Sequence, residues 1–210
     1  MNADQERATA ADRLGRRAFF GLVGTAVVTA GAVSAGQSFE VFSATNLVAP
    51  RVAGRGPQGM PVNKTAAAAG VLESAGDPLW RLRLDGPTGA VTFSRSELTA
   101  LPQLEQVLPI ACVEGWTTHG RWRGVGLAAL LDAVGGSGGH RVRITSLESA
   151  GAYRVTTMGP EFATDTRTLA ALELNGASLN LDHGFPARIM APARPGVLQT
   201  KWLARIEVLP

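Results

Sequence analysis

Cysteine occurs once in these 210 residues, at Cys112, and that scarcity removes two classes of protein at the outset. A lone thiol closes no disulfide within its own chain. Nor does it support a structural zinc site built on several cysteines. Histidine is almost as scarce: His119, His140 and His183 are the three, and none is spaced as a metal-binding pair. Strong charge of one sign is missing too. Against 20 Lys and Arg stand 17 Asp and Glu, a net charge of +3, and no run of five basic residues exists. Aromatics make up 6%, without the basic and aromatic interleaving of a base-stacking surface, so no nucleic-acid partner is expected. The chain has no nucleophile elbow, no P-loop and no dinucleotide fingerprint.

What is present is an ordinary globular composition, 45% hydrophobic, with 25 Gly and 12 Pro making it loop-rich. The length allows one domain with a real core plus an N-terminal extension. Residues 1–17 are polar and carry Arg7, Arg13, Arg16 and Arg17; an uncharged stretch follows over residues 18–37. The paired arginines ahead of Phe19 and Phe20 resemble a twin-arginine export signal. Small residues at Val33-Ser34-Ala35 suit a signal peptidase, and the uncharged stretch just reaches the length of a membrane span. A cleaved signal and a retained membrane anchor both remain open. Either places the rest of the chain across the cytoplasmic membrane, on the periplasmic or cell-surface side.

Residues 38–78 read as an extended arm, with Pro50, Pro57 and Pro61 opposing helix. Residues 79–210 read as the domain proper, with the arm wrapped over it. "WRLRLDG" (80–86) alternates as a strand does, and "VTF" (91–93) is its partner. Ser94 and Glu97 form a capping box, predicting a short helix that ends by Pro102. "VLPIACV" (107–113) is an apolar run expected to be a buried strand, and "LAALLDAV" (127–134) a helix stopped by Gly135 and Gly136. "HRVRITSL" (140–147), "YRVTTM" (153–158), "ARIMAP" (187–192) and "LARIEVLP" (203–210) are strand-like, while "DTRTLAALELNG" admits a short helix or a strand. Without a regular βαβ alternation, the expected class is α+β, mixed sheets with short helices.

Cys112 ends an apolar run and enters "VEGWTTHGRW", read as a Gly, Thr and Trp-rich loop where Trp116 and Trp122 would wall a pocket. A lone thiol here is either inert and buried or a ligand for a soft metal. His183 and Arg188 flank the bend at Gly184 and Pro186, which would aim both at one anion; an Arg fork suits phosphate. Gln199, Thr200 and Lys201 precede an apolar strand and would add a second phosphate contact.

"IACVEGW" with "WRGVGLAALL", then "HGFPARIMAPARPGVLQTKWLARIEV", together resemble the molybdopterin-binding domain of the sulfite oxidase family, including its periplasmic methionine-sulfoxide reductase branch. The resemblance runs from about Gly56 to Pro210. It implies a molybdenum–molybdopterin cofactor, with Cys112 as the equatorial metal ligand and catalytic thiolate. It implies pterin or phosphate contacts from Asn63, Ser146, His183, Arg188, Gln199, Thr200 and Lys201. Tyr153 matches the tyrosine that approaches the metal in sulfite-oxidising members. Val62 stands where that branch has an Arg, and Gly151-Ala152-Tyr153 where it has D-G-Y, so sulfite is not singled out as the substrate. The function implied is oxygen-atom transfer on a small oxo-compound (sulfoxide, sulfite or similar), with electrons exchanged with a separate partner, a membrane cytochrome being one candidate. The alternative is a cofactor-free binding or membrane-tethered interaction module that keeps the fold.

Overall fold

The computed structural model describes residues 56–111, 117–136 and 139–210. The expected signal or anchor (1–37), the first part of the arm (38–55), Cys112 and residues 113–116 lie outside the described residues. The rest of the arm is not extended throughout. It opens on a 3-10 turn at Pro57–Gly59 and, downstream of Pro61, winds into helices α1 (Ala66–Ala69) and α2 (Leu72–Gly76). The prolines that oppose helix lie upstream, and the alanine run has the highest helix propensity of any residue. Thr65 caps α1 by accepting the Ala68 N–H, and Gly70, at φ 68°, ends it. Helices this short do not stand alone. Burial of Ala66, Ala69, Val71 and Ala75 against Trp202 holds them to the body.

Two sheets follow. The first has the order β2-β1-β10-β5-β6. Its strands are β1 (Arg81–Gly86), β2 (Gly89–Ser94), β5 (Val142–Ser146), β6 (Val155–Met158) and β10 (Leu203–Val208). All pairs are antiparallel except β1 with β10. The second runs β3-β4-β7-β8, with β9 paired to β7. Its members are β3 (Gln103–Ala111), β4 (Thr117–Gly126), β7 (Leu169–Leu174), β8 (Ala177–Ser178) and β9 (Arg188–Met190). Three more short helices complete the fold: α3 (Arg95–Ala100), started by the expected Ser94 and Glu97 capping box, α4 (Leu127–Asp132) and α5 (Pro160–Ala163). This is the α+β arrangement the sequence implied. No helix among the described residues is long and apolar enough to cross a membrane.

Two readings are corrected. The 107–113 run is not buried on both faces. Over its described part Leu108 and Ile110 are buried while Val107, Pro109 and Ala111 are exposed, because β3 is the edge of its sheet. An edge position also explains why Pro109, which donates no ladder hydrogen bond, is tolerated. The supposed loop after Cys112 is largely the ten-residue strand β4, and its Trp122 is core rather than a pocket wall.

The ambiguous "LAALEL" is strand β7 because it lies in the sheet interior and feeds two cores. Ala170 and Leu172 join the large core shared with Leu82, Leu84, Ile144, Leu203 and the α4 leucines. Leu169, Ala171 and Leu174 join a second core around Trp122, Met60 and Met190. Simple alternation would put Leu174 with Leu172. A register shift against β4 between Arg123 and Gly124 inserts one residue and turns Leu174 to the other face. Gly124 permits the close passage: a Cβ there would stand 2.0 Å from the Ala170 carbonyl oxygen.

Candidate functional site

The bend at 181–188 is built locally. Asn180 caps a 3-10 turn, Leu181–His183, by accepting the Asp182 N–H, and Gly184 leaves it at φ 106°. A Cβ on Gly184 would lie 3.0 Å from Arg188 Cβ and 3.1 Å from Lys201 Cβ. The missing side chain therefore lets the two cationic residues stand side by side. Pairing of β9 with β7 sets Arg188 opposite the buried Ala171. A left-handed Trp202, φ 52°, lies between Lys201 and the start of β10, a conformation rare for so bulky a residue and enriched at functional sites.

Arg188 is 3% exposed. Its Nη1 donates to the His183 carbonyl at 3.1 Å and its Nη2 to the Gln199 carbonyl at 3.3 Å. The guanidinium lies 5.1 Å from the centre of the Trp122 ring. Among the described residues it has no carboxylate partner, and its Nε has no hydrogen-bond acceptor. Burial pushes its pKa down to about 10, so it stays charged at neutral pH. Lys201 Nζ donates to the carbonyls of Lys64 (2.9 Å) and Asp182 (2.7 Å) and sits 5.2 Å from the Trp202 ring. Of three ammonium protons, the described residues leave one for a ligand. Burial first, and then the Arg188 charge, push the Lys201 pKa down to about 7. Such a pair of crowded cations favours an anion between them.

His183, 2% exposed, donates from Nε2 to the Pro57 carbonyl at 2.6 Å, which fixes it as the neutral Nε2–H tautomer. Burial is the main reason its pKa falls from 6.5 to about 4; the Arg188 and Lys201 charges add to the fall, against the Pro57 hydrogen bond. The consequence is a pH dependence of stability. The fold binds fewer protons than the unfolded chain between these values, so stability is full above about pH 6.5 and declines as pH falls to about 4. Urea unfolding should show a loss approaching about 3 kcal/mol over that interval. His183→Gln, which keeps a donor for Pro57, should flatten the slope. An unchanged slope would place the acid sensitivity elsewhere.

These groups line two adjoining clefts. The inner one, about 20 Å³, is bordered by Pro61, Asn63, Ile110, His183, Arg188, Gly196 and Lys201. The outer one, about 110 Å³, has Asn63, Lys64, Glu148, Tyr153, Gln199 and Lys201 among its walls. Asn63, Gly196 and Lys201 belong to both. The expected residues thus converge: Asn63, His183, Arg188, Gln199, Thr200, Lys201 and Tyr153 all border one of the two clefts. Tyr153 stands at the rim, 51% exposed. Thr200 shares a buried hydroxyl contact of 2.9 Å with Thr156. Gln199 donates to the Arg194 carbonyl and leaves its Oε1 without a partner. Ser146 differs from its expected role. It lines neither cleft, and its Oγ donates to the Lys201 carbonyl at 2.9 Å, supporting that lysine from behind. β3 ends at Ala111, the residue before Cys112, and Gly196 packs so closely that a Cβ there would be 2.9 Å from the Ala111 oxygen.

Sequence reasoning did not single out Lys64, Glu148 or Trp202. Their only signal was nearness in sequence: Lys64 follows Asn63, Trp202 follows Lys201, and Glu148 lies two positions after Ser146. Among the described residues, no group of three or more His, Cys, Asp or Glu is placed to hold a metal. Among the described residues the donor set fits a phosphorylated anion instead: a buried guanidinium without a carboxylate, an unfilled guanidinium N–H and a spare ammonium proton.

The model of the oxidoreductase molybdopterin binding domain matches residues 69–210. Among curated relatives, YedZ1 of Azospira oryzae, named for a protein-methionine-sulfoxide reductase, is 31% identical over 116 residues, covering 55% of this chain and 43% of that protein. The sulfite oxidase of Arabidopsis thaliana is 28% identical over 136 residues, 58% of this chain and 35% of the plant protein. This chain therefore spans less than half the length of these relatives. The crystal structure of the sulfane dehydrogenase SoxCD from Paracoccus pantotrophus superposes with a TM-score of 0.56 at 22% identity, over 62% of this chain and 38% of that one, and shares its fold. The chain belongs to the oxidoreductase molybdopterin-binding domain family, the sulfite-oxidase-like proteins whose cofactor is molybdenum–molybdopterin.

Proposed function

We propose that this protein is an exported oxidoreductase that moves an oxygen atom to or from a small oxo-compound. The observation that carries the reading is Arg188, a buried cation that has no carboxylate partner among the described residues, standing beside Lys201 at the head of a cleft. Desolvating a charge is costly unless something answers it, and a bound anion would. When bound, molybdenum–molybdopterin supplies the redox and oxygen-atom chemistry.

The residues of this chain bind, orient and shield. Arg188 and Lys201 hold the phosphate, with Asn63 and Gln199 offering further polar contacts. His183 stays neutral and pins the arm through Pro57. Ser146 fixes the Lys201 backbone. Cys112 offers the soft thiolate that a metal of this kind requires. Tyr153, at the rim, presents its hydroxyl to an arriving substrate.

Substrate, partner and location are part of the proposal. The likeness to a reductase branch and the departures at Val62 and Gly151-Ala152 favour a sulfoxide or similar oxo-compound over sulfite. Electrons pass through a separate partner, a membrane cytochrome being the candidate. Arg16-Arg17 and the uncharged stretch 18–37 support export with or without a retained anchor. The deciding experiment measures molybdenum and pterin content after native export, with an electron paramagnetic resonance spectrum of the partly reduced protein. One molybdenum per chain and a pentavalent signal are expected. Folded protein with neither metal nor pterin would replace this reading with a cofactor-free binding module.

A further inference from the structure

At the outer cleft Lys64 Nζ donates to Glu148 Oε2. The partners come from opposite sides, Lys64 from the arm and Glu148 from the loop after β5. Glu148 is held at both backbone groups. Its N–H donates to Ser146 Oγ at 3.3 Å, and its carbonyl accepts Arg154 Nε at 2.7 Å. Its side chain is 10% exposed and that of Lys64 40%. Gly151, at φ 121°, folds the loop against the pair: a Cβ there would lie 3.4 Å from Glu148 Oε2 and 3.7 Å from Lys64 Nζ.

Two lysines line this cleft. Lys201 is committed inward, to two carbonyls. Among the described residues, Lys64 is the more exposed cation of the cleft wall. Left alone in a half-buried cleft, it would attract a small anion strongly, since screening there is weaker than in bulk water. Glu148 cancels it without closing the cleft.

We propose that Glu148 is a specificity-determining residue, pairing with Lys64 to leave the cleft mouth uncharged and so to favour neutral substrates over anionic ones. The proposal rests on the oxygen-transfer reading and deepens it by fixing the charge class of the substrate. Glu148→Gln keeps the shape and uncovers the ammonium. Lys64→Gln does the reverse and leaves a bare carboxylate. Because Lys64 holds Lys201 through its backbone carbonyl, that contact survives the substitution.

The test uses the full chain with its cofactor loaded. Sulfate, a non-reacting oxyanion, is titrated calorimetrically, and kcat/KM is compared for sulfite and for dimethyl sulfoxide. Glu148→Gln should bind sulfate about tenfold more tightly than the unsubstituted protein and raise the sulfite to sulfoxide ratio in step. Lys64→Gln should weaken sulfate binding and lower the ratio, and it carries the test alone if Glu148→Gln fails to fold. Sulfate affinity unmoved in the folded variants overturns the proposal. A loaded protein that turns over neither compound would defeat the oxygen-transfer reading, while the sulfate titration would still decide the role of Glu148.

Discussion

Arg188→Ala is expected to leave the exported protein with about a tenth or less of its molybdenum and pterin. A charge-assisted contact to phosphate contributes about 1.5–3 kcal/mol, and each 1.4 kcal/mol is tenfold in affinity. The substitution does more than delete a contact. It removes the cation stacked on Trp122 and leaves the carbonyls of His183 and Gln199 without their donors. It also relieves Lys201 of a neighbouring positive charge, so the Lys201 pKa should rise from about 7. Arg188→Lys separates charge from shape. It keeps one positive charge but loses the planar fork, so its loading should fall between the two extremes. Metal analysis and pterin fluorescence, on protein shown to be folded by circular dichroism, give the answer. Full loading of folded Arg188→Ala would remove this residue from the site.

The second large effect is expected at Cys112. Cys112→Ser keeps the size and replaces a soft thiolate with a hard oxygen that holds its proton at neutral pH. Turnover should fall by a factor of about 10³ or more, equivalent to about 4 kcal/mol of barrier. Pterin content should largely remain, because the groups proposed to hold the phosphate are elsewhere. The two variants therefore fail differently: Arg188→Ala is empty, while Cys112→Ser is filled and inactive. Retained turnover in Cys112→Ser would refute the thiolate's role in the chemistry.

The difference between the legible and the illegible parts of this fold is physical. Strands β1 and β5 were readable because one face of each meets the core and the other is more open to water, which writes a period of two into the sequence. Helix α3 was readable because its capping box is a local hydrogen-bond pattern. β4 was not. Its glycines and threonines suggest loop, and only the tertiary fact that Trp122 and Val125 are buried makes it a strand. The cleft residues His183, Arg188, Gln199, Thr200 and Lys201 could be grouped from sequence because they lie in one continuous stretch, 183–201. The Lys64 and Glu148 pair could not, since 84 positions separate them and no periodicity relates an arm to a loop. Ser146 shows a subtler limit. Its hydroxyl was expected to face a ligand and instead donates to the Lys201 carbonyl, a choice of rotamer that sequence does not encode.

The arm's attachments bear on where this domain can be cut. The Pro57 carbonyl accepts a hydrogen bond from His183 Nε2, the Lys64 carbonyl accepts one from the Lys201 ammonium, and the Asp182 carboxylate accepts the Ala66 N–H. All three partners on the arm precede residue 69, where the family match begins. A minimal module trimmed to that boundary would carry the recognisable motifs yet strip His183, Lys201 and Asp182 of these hydrogen-bond partners. Anyone grafting this site onto another scaffold must transplant the leading segment with it.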